Sequence, residues 1–251
     1  MRIILLGTGT TLPHKNRNAA GLLIQIHKNY LLFDCGNGIL RQIEKVNIDF
    51  TKIRDIFISH LHADHINDLP ILLKANLMKK NPNTVKIYGP PPIKKVVEEW
   101  FSKIYLYLNK ILYQIEIHEV KDEWIKNIGW KVQGFPVQHG IKAYGFKLVS
   151  NGKKLVYSGD TGFCEELIRA AKDADVLIHE CSYPTGYEHG KDHTTPLELG
   201  QIAKQANVKQ VVLTHFYPVC SGHEEEFIKE IRSEYSGKIV IGEDLLEIVV
   251  K

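Results

Sequence analysis

Cysteine is scarce and scattered. Cys35, Cys164, Cys181 and Cys220 stand apart in a chain of 251 residues, with no CxxC pair. That excludes a thiolate zinc finger and a disulfide framework as the organising device. Long apolar runs are missing too. Ile3-Ile4-Leu5-Leu6 is too short for the apolar region of a signal peptide and runs into Gly7. Nowhere does the chain approach the roughly 20 apolar residues of a membrane span. A cytoplasmic protein without membrane contact is the expectation. Charge of one sign is also lacking: the formal net charge of +3 is too small to imply nucleic acid by itself. Its distribution is less even. Between Lys74 and Lys110 eight lysines face only Glu98 and Glu99. An anionic substrate could meet the protein there, although a solvated face around a helix is the plainer reading. No low-complexity linker divides the chain. A composition of 44% hydrophobic and 24% charged residues suits a globular protein with a full core, and one domain over residues 1–251 is expected.

What is present is a succession of strands and helices. Strands are expected at Arg2–Leu6, Leu22–His27, Tyr30–Asp34, Ile53–Ser59, Val85–Tyr88, Leu112–Glu119, Trp130–Val137, Ala143–Val149 and Lys154–Ser158, with Asn151-Gly152 turning a hairpin between the last two. Val176–His179, Val208–Thr214, Lys238–Ile241 and Leu245–Val249 follow as strands. Helical periodicity marks Gly38–Val46, Ile66–Lys79, Ile93–Leu108, Phe163–Lys172, Pro196–Gln205 and Glu224–Ser236. Apolar and alternating strands both occur, so the expected fold is α/β (α+β in the looser sense): mixed sheets packed together with helices outside. A Rossmann domain fits poorly, because Gly7-Thr8-Gly9 lacks a third glycine and no helix follows it.

The densest chemistry is Ser59-His60-Leu61-His62-Ala63-Asp64-His65, directly after an apolar strand. His60 and His62 share one side of an extended segment, whereas Asp64 and His65 fall after it. That split suits two adjacent metals better than one. Three more strands end the same way, in His139, Asp160 and His215. A lone strand-end histidine is often a cap or a surface residue; the shared context is what singles these out. Gathered at one sheet edge, His60, His62, Asp64, His65, His139, Asp160 and His215 offer seven nitrogen and oxygen ligands, enough for two divalent ions. Imidazole and carboxylate favour zinc, with manganese or iron as alternatives. Without thiolates to close it, the site reads as catalytic rather than structural.

The HxHxDH motif at His60, His62, Asp64 and His65, the later positions His139, Asp160 and His215, and the Phe33-Asp34-Cys35-Gly36 segment together resemble the metallo-β-lactamase fold superfamily, over essentially the whole chain. That resemblance implies a four-layer αββα sandwich. Pro13-His14-Lys15-Asn16-Arg17-Asn18, Asp192-His193-Thr194-Thr195, His179-Glu180-Cys181-Ser182 and Val85–Pro90 resemble motifs of its ribonuclease Z branch, endonucleases that trim tRNA 3′ ends. One departure is clear. The family's long tRNA-grasping arm lies between the third histidine motif and the bridging aspartate, and here twenty residues, nearly all of them a hairpin, separate His139 from Asp160.

The resemblance implies that His60, His62 and His139 hold one metal and that Asp64, His65 and His215 hold the second, with Asp160 bridging. It further implies a bridging hydroxide attacking phosphorus, oriented by Asp64, with His193 as general acid to the leaving oxygen. Asp34 is expected to bond the far nitrogen of a ligand imidazole. His179 either does similar work or packs. Lys15 and Arg17 either bind phosphate or form a surface loop. Tyr88, Trp100 and Tyr107 are available to stack on bases, unless they are core. His14, His27, His118, His189 and His223 carry no supporting context. The expected partner is a phosphodiester, RNA or smaller, and pairing of two copies is implied by relatives. The alternatives are hydrolysis of a thioester, lactone or β-lactam on the same scaffold, and a non-catalytic metal-binding module.

Overall fold

The computed structural model describes residues 1–106, 114–188 and 190–251. The ends of two expected elements, at 107–108 and 112–113, together with Tyr107 and His189, lie outside the described residues. Two seven-stranded mixed sheets form the molecule. The first holds β1 (Arg2–Gly7), β2 (Gly21–Ile26), β3 (Asn29–Phe33), β4 (Ile53–Phe57), β5 (Val85–Gly89), β6 (Ile115–Glu119) and, from the far end of the chain, β14 (Glu247–Val249), in the order β14-β1-β2-β3-β4-β5-β6. The second holds β7 (Trp124–Asn127), β8 (Trp130–Pro136), β9 (Tyr144–Ser150), β10 (Lys153–Tyr157), β11 (Val176–Glu180), β12 (Gln210–Thr214) and β13 (Lys238–Ile241), ordered by sequence across the sheet.

Side-chain alternation explains the layering. Strand residues of opposite parity point to opposite faces. In β1, Ile3 and Leu5 join the cluster between the sheets, with Phe33, Phe57, Val132, Phe146, Leu155 and Val212. Ile4 and Leu6 face outward, onto α1 (Ile39–Lys45), α2 (Ala63–Ile66), α3 (Leu69–Met78) and α4 (Ile93–Glu99). In β12, Val212 faces the other sheet, whereas Val211 and Leu213 pack on α5 (Glu165–Ala171), α6 (Pro196–Gln205) and α7 (Glu224–Glu234). Both sheets are therefore apolar on both faces, which is why their strands read as nearly continuous apolar runs. The four layers are the αββα sandwich anticipated from the sequence. Between the sheets, Phe57 stacks on Phe33 and Tyr88, each at 4.8 Å between ring centres, and meets Phe146 edge-on at 5.5 Å.

Three local features depart from expectation. The helix expected at Ile66–Lys79 is two helices, α2 and α3, broken at Asn67-Asp68. Pro70 sits in the first turn of α3, where its missing N–H costs nothing, and the Asp68 carboxylate accepts from Leu40 N at 2.9 Å. The helix expected from Ile93 widens after Glu99 into a π-helical turn over Trp100–Ile104, closed by Tyr105 N donating to Trp100 O at 2.6 Å. Ile104 is consequently 63% exposed instead of joining the apolar stripe. Strand β7 was not anticipated. It is a four-residue edge strand, too short for alternation to register.

Strand direction positions the candidate residues. β10, β11 and β12 run parallel, and β8 shares their direction because it is antiparallel to β9, which is antiparallel to β10. The C-terminal ends of all four strands lie at one edge of the second sheet. Ser59, two residues after β4, reaches the same edge, where Tyr144 N donates to its carbonyl at 2.9 Å.

Candidate metal centre

Each expected ligand follows a strand that ends at this edge. β4 delivers the His60–His65 loop, β8 delivers His139, β10 delivers Asp160 and β12 delivers His215. His215 and Asp34 adopt the left-handed backbone, φ 59° and 58°, which bends the chain sharply at the strand's end. All seven residues come together. The ligand atoms of His60, His62, His139 and Asp160 lie within 4.8 Å of one another, as do those of Asp64, His65 and His215, and those of Asp160, His193 and His215. Asp160 lies between the two histidine sets: its Oδ2 is 3.6 Å from His60 Nε2, 3.4 Å from His65 Nε2 and 3.2 Å from His215 Nε2. Asp64 Oδ2 lies 3.7 Å from His65 Nε2 and 3.5 Å from His215 Nε2. His62 Nδ1 faces His60 Nε2 at 3.0 Å and His139 Nε2 at 3.2 Å.

The outer hydrogen bonds fix what each imidazole presents to the centre. His65 Nδ1 is 2.8 Å from Asp34 Oδ2, and His139 Nδ1 is 3.0 Å from the Asp192 carbonyl. Both partners only accept, so both Nδ1 atoms carry the proton. The Ser182 hydroxyl donates to Glu180 Oε2 at 2.5 Å and therefore accepts from His215 Nδ1 at 3.0 Å. By the same logic Ser59 Oγ donates to Asp34 Oδ2 at 2.8 Å and accepts from His60 Nδ1 at 3.0 Å. Deprotonated at Nε2, all four imidazoles would point a lone pair into one space. Asp160 Oδ1 is buried without a hydrogen-bond partner. Lone pairs facing lone pairs, beside an orphaned carboxylate oxygen, are a donor set that fits divalent cations.

Electrostatics agree. Burial, with neighbouring histidines, holds His60 well below the usual imidazole range and lowers His62. Burial would raise Asp64, yet the neighbouring His215 and His65 bring it down to about 2. Asp160 is likewise held well below the usual carboxylate range by His215, His65 and His60, against its burial. His65 moves the other way: burial would lower it, but Asp160 and Asp34 raise it well above its ordinary value. This spot demands positive charge.

His193 stands beside the ligands, its ring 5.8 Å from His215 and nearly parallel to it. Its Nδ1 is 2.9 Å from Glu180 Oε1. Burial would lower its pKa, but the Glu180 carboxylate pushes it up to about 9. Glu180 is fully buried and also accepts from Thr161 N at 2.8 Å and Thr194 N at 3.1 Å. The helix after His193 begins with a capping box of Thr195 and Glu198.

Asp34 bonds a ligand imidazole as expected, and also accepts from Ser59 N at 2.7 Å and the Tyr157 hydroxyl at 2.7 Å. Sequence reasoning missed Glu180, Ser182 and Ser59 as partners of the site. A signal existed for Glu180: it closes the apolar strand β11, much as each expected ligand stands just past its own strand. Ser182 and Ser59 carry no such mark. His179 packs; it is buried, with Nδ1 donating to Glu180 O at 2.6 Å. Arg17 is committed elsewhere, donating to Thr8 Oγ1 at 2.8 Å and Gly242 O at 2.7 Å and lying over Phe216 at 4.3 Å, which argues against the phosphate reading. Lys15 is exposed on the surface. Tyr88 is buried between Phe57 and His118, and Trp100 packs on the outer core, so neither is presented to bases. Of the lysine-rich stretch, Lys103 pairs with Glu99 at 3.2 Å and Lys86 with Glu116 at 3.7 Å. Between His139 and Asp160 the chain forms the expected hairpin, β9 and β10, with Asn151 and Gly152 both at positive φ. All four cysteines are buried and free. Among the described residues no helix is long and apolar enough to cross a membrane.

Known proteins share the sequence and the fold along nearly the whole chain. Ribonuclease Z of Myxococcus xanthus is 28% identical, the match covering 97% of this chain and 96% of the relative. That alignment runs over 298 positions against the 251 residues here, so the relative carries residues this chain lacks. Among solved structures, the metallo-β-lactamase fold protein YhfI from Bacillus subtilis superposes with a TM-score of 0.86 at 23% identity, covering 98% of both chains. The short form of human tRNase Z superposes at 0.79 with 25% identity, covering all of both chains. The chain is thus a metallo-β-lactamase fold protein of the ribonuclease Z-like branch. The sequence profile described as Anti-Pycsar protein Apyc1 matches residues 1–231, and the chain belongs to that family.

Proposed function

We propose that this chain is a single-domain, metal-dependent phosphodiesterase, residues 1–251, acting on a phosphodiester smaller than a tRNA. The observation that carries the reading is the pairing of a convergent set of seven candidate ligands with His193 beside it, its Nδ1 2.9 Å from the buried Glu180 carboxylate. His60, His62 and His139 would hold one divalent ion and Asp64, His65 and His215 the other, with Asp160 available to both sets. Zinc suits the donors best, with manganese or iron as substitutes. Two such ions, when bound, clamp the phosphate oxygens and activate water for in-line attack. Asp64 is ionised at working pH and can orient that water. Ser59, Asp34 and Ser182 keep the imidazoles turned inward. His193 gives its proton to the departing oxygen, and Glu180 keeps it charged until then.

Two features favour a small substrate over tRNA. The β9–β10 hairpin leaves no length for a grasping arm, and the curated relative carries residues this chain lacks. A pair of chains in solution belongs to the same reading and is checked by sedimentation. The protein loaded with zinc or manganese is given bis(p-nitrophenyl) phosphate, a precursor tRNA and an acyl thioester. Cleavage of the diester with the tRNA intact is expected. Hydrolysis of the thioester alone overturns the proposal.

A further inference from the structure

The edge opposite the metal centre carries chemistry of its own. The candidate ligands follow the C-terminal ends of β4, β8 and β10. β3 runs parallel to β4, so the turns that open β3, β8 and β10 lie at the far edge, with the residues that lead into β4. Side chains tie these turns together. Asn151 Nδ2 is 3.3 Å from His27 Nε2, and the Ser150 hydroxyl donates to Gly129 O at 2.7 Å. At the tip of the β7–β8 turn stands Ile128, 88% exposed, the most exposed large apolar side chain among the described residues. Its N–H donates to Asn127 Oδ1 at 2.8 Å, and Gly129 after it takes φ 86°. Such a turn asks for glycine at its second position and for nothing apolar at its first. Held by Asn127 and Ser150, the tip loses little freedom on contact with a partner.

Cations flank the tip on both sides. One concavity, of about 600 Å³, is lined by Asn127 together with Lys28, Lys52 and Arg54. Of its two carboxylates, Asp49 accepts from Thr51 N at 3.0 Å and Thr51 Oγ1 at 2.6 Å, and Asp55 is buried. A second concavity, of about 330 Å³, is lined by Lys126, Gly129 and Lys131 and by no carboxylate. Lys126 and Lys131 stand directly opposite each other in the β7–β8 ladder, an arrangement of like charges that destabilises a sheet. The crowding continues inward, where Lys131 and Lys147 both lie over the Trp124 ring, at 4.5 and 5.0 Å. Cations gathered against the interest of folding point to an anionic partner.

We propose that this edge is a docking surface for an anionic lipid bilayer, with Ile128 entering the boundary between headgroups and acyl chains and the flanking lysines and Arg54 meeting the lipids' anionic groups. The tip selects the bilayer among polyanions. A nucleic acid is held by cations together with aromatic rings that stack on its bases, and an aliphatic side chain standing foremost would keep it off the lysines. A bilayer offers acyl chains to receive that side chain and an anionic plane to meet the cations around it. Surface attachment of this kind needs no apolar run of spanning length. With this edge against lipid, the metal centre at the opposite edge faces water. The docking does not depend on the phosphodiesterase reading.

Co-sedimentation of the full chain with vesicles tests the proposal. Binding is expected to vesicles of phosphatidylcholine mixed with phosphatidylserine and not to phosphatidylcholine alone, and salt is expected to release it. Ile128→Asn weakens the binding roughly 10- to 150-fold, the factor that burial of one aliphatic side chain carries, whereas Ile128→Leu retains it. Lys126→Gln weakens it roughly 5-fold, and Lys126→Gln with Lys131→Gln roughly 30-fold. All three residues are exposed and far from the metal centre, so hydrolysis of a soluble diester stays at the parent rate in every variant. No binding to either vesicle overturns the proposal, as does binding that ignores phosphatidylserine or is equal in the parent and Ile128→Asn. Binding of a single-stranded oligonucleotide in place of vesicles, lost in the double lysine variant, also overturns it.

Discussion

Replacing Glu180 by Gln isolates what the buried carboxylate does for His193. The wild-type imidazole has its pKa pushed up to about 9, with Glu180 2.9 Å away. At pH 8 such a group is roughly nine-tenths protonated. Without the carboxylate, burial is left to act alone, and the ring falls to or below the ordinary value of about 6.5, where roughly 3% is protonated at pH 8. An acid catalyst works only in its protonated form, so kcat at pH 8 drops roughly 30-fold and recovers as pH falls toward 6. The sign is fixed: activity is lost as pH rises through the histidine pKa, and the variant loses it earlier. Bound cations lower the value in both proteins, so the separation between the two alkaline limbs, about 2.5 pH units, is the quantity to measure. The assay is a pH–rate profile on a nucleoside methyl phosphodiester, whose alkoxide leaving group must be protonated. Gln retains one acceptor oxygen but turns an amide toward donors that Glu180 now satisfies, at a cost of about 1–3 kcal/mol. Metal content and thermal melting are therefore recorded alongside. Alkaline limbs that coincide in the two proteins refute the reasoning.

His193→Ala should cost roughly 10²- to 10⁴-fold in kcat on that methyl diester and far less on bis(p-nitrophenyl) phosphate, whose leaving group departs unprotonated; equal losses on both would remove His193 from the acid role. Asp34→Asn keeps the shape but weakens the charged hydrogen bond to His65 Nδ1 at 2.8 Å, and metal affinity by chelator competition should fall roughly 10- to 100-fold. Gly36→Ala puts a methyl 1.9 Å from the Asp64 backbone oxygen. That clash is with main chain beneath the ligand loop, so a loss of about 1–3 kcal/mol in urea unfolding is expected together with reduced bound metal, whereas wild-type stability would show that the loop is slack.

The parts of the site that were legible in the sequence share one property: each is a polar residue ending an apolar strand. His139, Asp160 and His215 are separated by up to 76 positions in sequence, yet strand direction alone brings them to one edge. The Asn151-Gly152 turn was legible because both residues must adopt positive φ. What was not legible depends on contacts between distant elements. Ser182 reads as an ordinary serine until β11 and β12 lie side by side and its hydroxyl reaches His215. Arg17 looks like a phosphate ligand until Phe216 and the Gly242 carbonyl claim it. Tyr88 looks available to bases until the fold buries it between Phe57 and His118. Edge strand β7 and the widened turn at Trp100 escaped because four- and five-residue patterns carry too little periodicity.

The pairing of β14 with β1, Arg2 against Val249, ties the order of synthesis to the order of folding. The outer rim of β1, an apolar Ile3-Ile4-Leu5-Leu6 ribbon, cannot acquire its neighbour until the roughly 240 residues between Gly7 and Glu247 have been made. At about 5–20 residues per second that is a wait of roughly 10–50 s. Throughout it the nascent chain carries an open apolar edge, the kind of surface that recruits other chains or a chaperone. The strand nearest the start of the chain is thus the last to be sealed, and its yield in the cell should depend on what guards that edge in the meantime.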